Sequence, residues 1–299
     1  MSPPALQRFG RMPSFVTNPK PFLCMVRLSA FYKSIFRCAL AALLSGIFAV
    51  NTIAQSAKNR PKTAPDQDFM YQYSIIDALM AGVFDGDLTI GQLKKKGDFG
   101  VGTFNRVDGE LLIDKGHVYK ISYDGSVKEV PDSDSTSAAF VKFFKADTLI
   151  HLNGPGLTYE KVQEQIRHML NPNGIYALRI SATFPTMTTR AEKPASKPYT
   201  SLPEHLKHNQ IVFELKNTKG ICSGFLLPPY LARTNVPGFH LHYLADDHKS
   251  GGHIFNFTAD AVTVEVDMAK GFTIENNTNA EFGKVNLQPD RGAELKKIE

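Results

Sequence analysis

Cysteine is scarce in this 299-residue chain, with only Cys24, Cys38 and Cys222. Acidic residues are missing altogether from the first 55 positions. No apolar run reaches the roughly 20 residues that a comfortable membrane span requires. Internal repeats, heptads and low-complexity blocks are absent as well. Each absence excludes something. Two of the cysteines fall in the N-terminal leader, so Cys222 alone remains behind it, and a disulfide scaffold is ruled out. Cys222 lies in "GICSGF" among apolar neighbours and reads as a small buried hydrophobe. The formal charge of +5 is equally uninformative about partners. Residues 1–55 carry Arg8, Arg11, Lys20, Arg27, Lys33 and Arg37; taking these six from 34 leaves 28 basic against 29 acidic residues, a net −1. The basic excess belongs to the leader, and no nucleic-acid partner is expected.

The leader has its own anatomy. Lys33 and Arg37 precede the apolar run "CALAALLSGIFAV", and Ala54 follows near a plausible cleavage point. Residues 1–55 are read as a secretory signal peptide, with Met25 as an alternative start. A periplasmic or secreted protein is expected, without stable membrane association once the leader is cleaved. Residues 56–68 are polar and proline-bearing, a flexible segment.

Beyond it, "YSIIDALMAGVFDG" reads as a short helix capped by Ser74 and ended by Gly82. Short alternating runs follow, "FGVGTFNRV", "ELLID", "HVYKISY" and "SVKEV", punctuated by Asp108–Gly109 and Asp124–Gly125 in the manner of a β-meander. One long helix is predicted over 158–170, stopped by Asn171 and Pro172, with His168 on it as a surface or filler residue. Residues 175–190 read as one or two strands. The stretch 191–207 carries three prolines, is read as irregular, and supplies the interior boundary. The expectation is a β-rich α+β fold in two domains: a mixed-sheet N-terminal domain over 69–195 and a β-rich domain over 196–299 that carries a metal site.

That site is "GFHLHYLADDHKSGGHIFNF", which holds four of the nine histidines. Alternation along a strand puts His240 and His242 on one face. Gly251–Gly252 marks a reversal, and a hairpin closing through "DDHKSGG" brings His253 beside His242. Three imidazoles make three corners of a metal site whose remaining position is open to water or substrate. Nitrogen donors without thiolate suit Zn²⁺, and also other divalent transition metals. His248 sits in the polar turn and is left out; Asp246 and Asp247 shape that turn.

The same stretch resembles the metal-binding signature of the alpha-acetolactate decarboxylase family. "YQYSIIDALMAGVFDGDLTIGQLKKKGDFGVGTFNRVDGEL" (71–111) and "KNTKGICSGFLLPPYLARTNVPGFHLH" (216–242) are similar to that family too, so the resemblance spans about residues 69–299. It implies conversion of 2-acetolactate to acetoin and CO₂ with no organic cofactor, through a metal-stabilised enediolate. It carries metal ligation to His240, His242 and His253, a proton-donating role to Glu110 in the "DGE" turn, and substrate binding to Arg190. The wording after Arg190 departs from the family's. A glutamate of the C-terminal tail is also implied, and spacing favours Glu299 over Glu294. A homodimer is implied as well. Two other readings stand beside this one: a cupin-like metal dioxygenase, which also uses His-x-His on strands, and an exported, non-catalytic binding module stabilised by zinc.

Overall fold

The computed structural model describes residues 67–299, so the signal-peptide reading and nearly all of the 56–68 segment lie outside the described residues. In chain order the elements are β1 (Phe69–Tyr73), α1 (Ile76–Met80), β2 (Leu88–Thr89), α2 (Ile90–Leu93), β3 (Phe99–Phe104), β4 (Glu110–Asp114), β5 (His117–Ile121), β6 (Val127–Glu129), β7 (Ser135–Lys142) and β8 (Thr148–Thr158). There follow α3 (Tyr159–Met169), β9 (Ile175–Glu192), α4 (Leu202–Asn209), β10 (Gln210–Leu227), β11 (Gly238–Ala245), β12 (Gly251–Ala269), β13 (Gly271–Glu275) and α5 (Gly292–Leu295). The β-rich α+β class is as expected, and the meander β3–β6 runs where the Asp-Gly punctuation put it.

The strands form two sheets. The first has the order β13-β1-β7-β3-β4-β5-β6, with β2 also against β7, and is mixed: β1 and β13 are parallel and every other pair is antiparallel. The second is antiparallel, ordered β11-β10-β9-β12-β8, and β11 also pairs with β12, so β9, β10, β11 and β12 close on one another. Helix α3 covers part of this sheet. Tyr159, Val162 and Ile166 recur at spacings of three and four and are buried, while Thr158 caps the helix by accepting from Lys161 N at 3.3 Å.

The sheets pack face against face. Met70, Phe99, Val101 and Phe140 of the first meet Ile175, Ala177, Phe225 and Leu227 of the second in one apolar cluster. Within this seam a fully buried ion pair, Lys142 Nζ to Asp267 Oδ2 at 2.7 Å, ties β7 to β12.

Four expectations need correction. The division near residue 195 does not separate the sheets: β8 and β9 precede it yet belong to the second sheet, and β13 returns to the first. Long-range strand pairing overrides the order in sequence. Ser74 does not cap α1; it adopts φ 64°, and its buried hydroxyl makes no hydrogen bond, while Ile75 occupies the cap position. The proline-bearing stretch is not wholly irregular, because α4 begins within it. Pro203 falls in the first turn, where a missing N–H costs nothing. Finally, Gly251 and Gly252 are not the reversal itself but the first residues of β12. A Cβ on Gly251 would lie 2.4 Å from the Tyr243 carbonyl oxygen. One on Gly252, whose φ is +133°, would lie 2.4 Å from that of Arg190.

Candidate active site

That close approach of β12 to both neighbours builds the centre. His242 on β11 lies directly opposite His253 on β12, and His253 lies directly opposite Arg190 on β9. Directly opposed residues share a sheet face, so three side chains line up across three strands. His240, two residues before His242, joins them on the same face. The three imidazole rings are mutually 5.2–5.4 Å apart between centroids. One nitrogen from each can be chosen so that all three lie within 4.8 Å of one another, and all three residues are buried.

The chemistry of these nitrogens suits a cation. His242 Nδ1 donates to the Leu111 carbonyl at 2.8 Å, which leaves the Nε2 lone pair free and inward. Burial holds all three imidazoles below the usual histidine range, well below it for His242 and His253, so they are neutral ligands at pH 7. His242 Nε2 and His240 Nδ1 are sealed from solvent without a hydrogen-bond partner. Glu110 Oε2 lies 3.2 Å from that Nε2, but a lone pair facing a carboxylate oxygen is not a hydrogen bond; the contact calls for a proton or a cation between them. The three-histidine group can hold a metal ion.

Glu110 reaches the group from the first sheet. It opens β4 directly after Gly109, at φ +84°, where a Cβ would strike the Ile121 carbonyl at 2.5 Å. Glu110 is buried, and its Oε1 stands 4.0 Å from Arg190 Nε. Burial, then the Glu192 carboxyl beside it, push the Glu110 carboxyl well above its usual range, against the pull of Arg190. Arg190 is held by Nη1 donating to Gln210 Oε1 at 3.0 Å and by Phe255, whose ring lies 5.5 Å below the guanidinium. Its Nε is buried and uncommitted.

The tail closes the other side. Leu295 of α5 is buried beside Leu202, Leu206 and Val236, and Ile298 packs on that cluster, so the C-terminus is anchored. Glu299 Oε2 comes within 3.6 Å of His253 Nε2. Glu294 is exposed and does not line the cavity. The structure thus brings together Glu110, Arg190, Glu299, His240, His242 and His253 around one cavity of about 50 Å³. Its other walls are mostly apolar, with Ile76, Leu79, Val107 and Phe140 among them.

One residue escaped the sequence reading. Glu192 is buried, lines the same cavity and lies within hydrogen-bond reach of Glu110. Burial pushes its carboxyl up, while the Arg190 charge opposes the shift. The available signal was its position two residues after Arg190 on one strand, which gives both the same face.

Fold and site together define a two-sheet protein in which three buried imidazoles that can hold a metal ion meet three carboxyls and one guanidinium around a single cavity. Comparison with known proteins narrows this class. The sequence profile of the alpha-acetolactate decarboxylase family matches residues 70–289. The chain is 32% identical over 252 residues to the alpha-acetolactate decarboxylase of Bacillus subtilis (strain 168), covering 84% of this chain and 96% of that protein. It is 35% identical over 266 residues to that of Brevibacillus brevis, covering 85% and 92% respectively. The crystal structure of the Bacillus subtilis strain 168 enzyme superposes with a TM-score of 0.74 at 33% identity, over 76% of this chain and 97% of that one. The chain belongs to the alpha-acetolactate decarboxylase family and is an enzyme, a carboxy-lyase.

Proposed function

We propose that this protein decarboxylates 2-acetolactate to acetoin in a metal-dependent reaction, with Zn²⁺ or a similar divalent ion held by His240, His242 and His253. The observation that carries the reading is the convergence of three buried, neutral imidazoles beside a raised carboxyl and a buried guanidinium. When bound, the ion supplies Lewis-acid polarisation of the substrate's oxygens and stabilises the enediolate. Arg190 takes the substrate carboxylate through paired N–H donors. The bond between that carboxylate and C2 breaks, CO₂ leaves, and the electron pair moves into the enediolate. Glu110 then gives its proton to C2, acetoin forms, and Glu110 is reprotonated from solvent, so each turnover consumes one proton. Glu299, beside His253, completes the polar rim. The apolar walls keep water from competing for the developing charge. The protein acts as a homodimer exported to the periplasm or beyond, on the strength of the family resemblance and of the leader.

The test is acetoin formation from racemic acetolactate by the purified protein as isolated, after chelation, with Zn²⁺ restored, and as His242→Ala, with circular dichroism on each. Acetoin production that falls on chelation, returns with metal and is lost in the folded variant is the expected result. The reaction proceeds equally without dioxygen if the decarboxylase reading is right, and not if the site is an oxygenase. A folded, metal-loaded protein that makes no acetoin overturns the reading.

A further inference from the structure

Glu192 touches no reacting atom in the mechanism above and acts there only by raising the Glu110 carboxyl, yet it occupies an expensive position. It is 4% exposed, lines the cavity, and sits at the end of β9 two residues beyond Arg190. Its Oε2 is sealed from solvent and receives no hydrogen bond from any amide, amine or hydroxyl among the described residues. The Glu192 carboxyl as a whole lies within reach of the Glu110 carboxyl and of its own backbone N–H, but Oε2 itself has no donor. Two carboxyl groups that share a proton still offer acceptor sites for several further hydrogen bonds, and buried acceptors in folded proteins are normally satisfied. The unmet capacity faces the space the substrate would fill. Of the other polar groups there, Thr103 Oγ1 donates to the Gly109 carbonyl at 2.8 Å, the imidazoles face one another as the candidate metal group, Glu299 lies beside His253, and the uncommitted Nε of Arg190 is a donor, so Glu192 is the acceptor with no other assignment.

We propose that Glu192 accepts the hydrogen bond of the substrate's 2-hydroxyl group, and so makes the site selective for 3-oxo acids that carry a hydroxyl on the carbon bearing the carboxylate. The inference rests on the decarboxylase reading. Residues two apart on a strand stand about 6.6–7 Å apart on one face. Arg190 and Glu192 therefore present a donor array and an acceptor side by side. A 2-hydroxy acid carries the complementary pair on one carbon, with an acceptor carboxylate and a donor hydroxyl. A 3-oxo acid with a methyl in place of the hydroxyl would satisfy Arg190 and leave Glu192 buried against carbon, the arrangement that discriminates most strongly between substrates. Glu192 is in this sense a specificity-determining residue, distinct from the proton donor Glu110.

The experiment compares kcat/KM for acetolactate and for 2,2-dimethyl-3-oxobutanoate, read as CO₂ release above the spontaneous rate, in the wild-type holoenzyme and in Glu192→Ala and Glu192→Gln. The wild type is expected to favour acetolactate. Glu192→Ala lowers that preference about 10- to 100-fold, the worth of one hydrogen bond to a charged group, because the loss on acetolactate exceeds any loss that the altered Glu110 carboxyl imposes on both substrates. Glu192→Gln keeps an acceptor oxygen and restores part of the preference. Calorimetric binding of two unreactive acids, 2-hydroxy-2-methylbutanoate and 2,2-dimethylbutanoate, supplies a readout free of turnover, and the same preference should vanish in Glu192→Ala. An active wild type whose preference survives in folded Glu192→Ala overturns the inference alone, as does an equal loss on both substrates. A wild type that makes no acetoin overturns the decarboxylase reading and the inference with it.

Discussion

Glu110 is the residue on which the proposed chemistry turns, and its surroundings explain why a carboxyl can serve there as an acid. It is buried, 3.2 Å from an imidazole nitrogen that is not protonated, and beside a second carboxyl. Only Arg190 favours its ionised form, and that guanidinium is 4.0 Å away at Nε and shared with Gln210. Glu110→Gln preserves the shape and the contact with Arg190's surroundings but removes the transferable proton. We expect kcat to fall about 10²- to 10⁴-fold, the usual worth of a positioned acid, with metal content unchanged because the three imidazoles are untouched. Steady-state kinetics alongside metal analysis checks this; a variant with wild-type turnover would place the acid elsewhere. The same residue was singled out in the sequence only by the family resemblance of the "DGE" turn, since an acidic residue after Asp-Gly is by itself an ordinary solvated charge. Glu192 was not, because nothing local marks a glutamate in "TTRAEKP" as buried, and its burial comes from strands and helices far along the chain.

At the scale of elements, alternation and turn chemistry carried the reading furthest where the pairing is local. His240 and His242 share a face because they are two apart, and His253 reaches them because β11 and β12 are consecutive and antiparallel. The helix expected over 158–170 is α3, which ends before the Asn171–Pro172 stop. Non-local pairing was illegible. β9 lies against β12, some seventy residues later, and this pairing puts Arg190 opposite His253. The two glycines at the start of β12 were read as a turn because glycine signals turns; their actual service is to let β12 press against carbonyls on both flanks. A prediction follows for the second of them. In Gly252→Ala the methyl would meet the Arg190 carbonyl at 2.4 Å on a backbone of φ +133°. The strand must shift, and His253 and Arg190 shift with it. We expect a loss of about 1–3 kcal/mol in stability, together with weaker zinc binding. Urea unfolding of the chelated protein and calorimetric zinc titration measure the two effects separately. A variant that loses stability but keeps zinc affinity would mean that the strand absorbs the strain away from the centre.

For the whole molecule, the site's position between the sheets makes folding and protonation interdependent. His240, His242 and His253 are held below the ordinary value of 6.5 by burial, and His205 is moved the same way for the same reason. In the unfolded chain each takes up a proton near pH 6.5. Acidification below that value therefore feeds protons to the unfolded state that the folded state refuses, and stability present above pH 6.5 is lost as pH falls. Each such proton is worth about 1.4 kcal/mol per pH unit. Glu110 and Glu192 work in the opposite sense. Their carboxyls are raised above the ordinary 4.5, so between that value and their folded values the folded state holds protons the unfolded chain has released. Their contribution is present at low pH and is lost as pH rises. Four lowered imidazoles stand against the raised carboxyls of Glu110, Glu192 and Asp267. The chelated protein should accordingly lose stability on acidification from 6.5 towards 4.5, by about 1.4 kcal/mol per pH unit for each net proton the unfolded chain takes up. Bound metal should steepen the loss, because only neutral imidazoles bind it. Urea midpoints across that interval, with and without chelator, decide the matter. A chelated protein whose midpoint is flat or rises on acidification would mean that the imidazoles carry their protons into the fold, and the centre would then not be poised for a cation before one arrives.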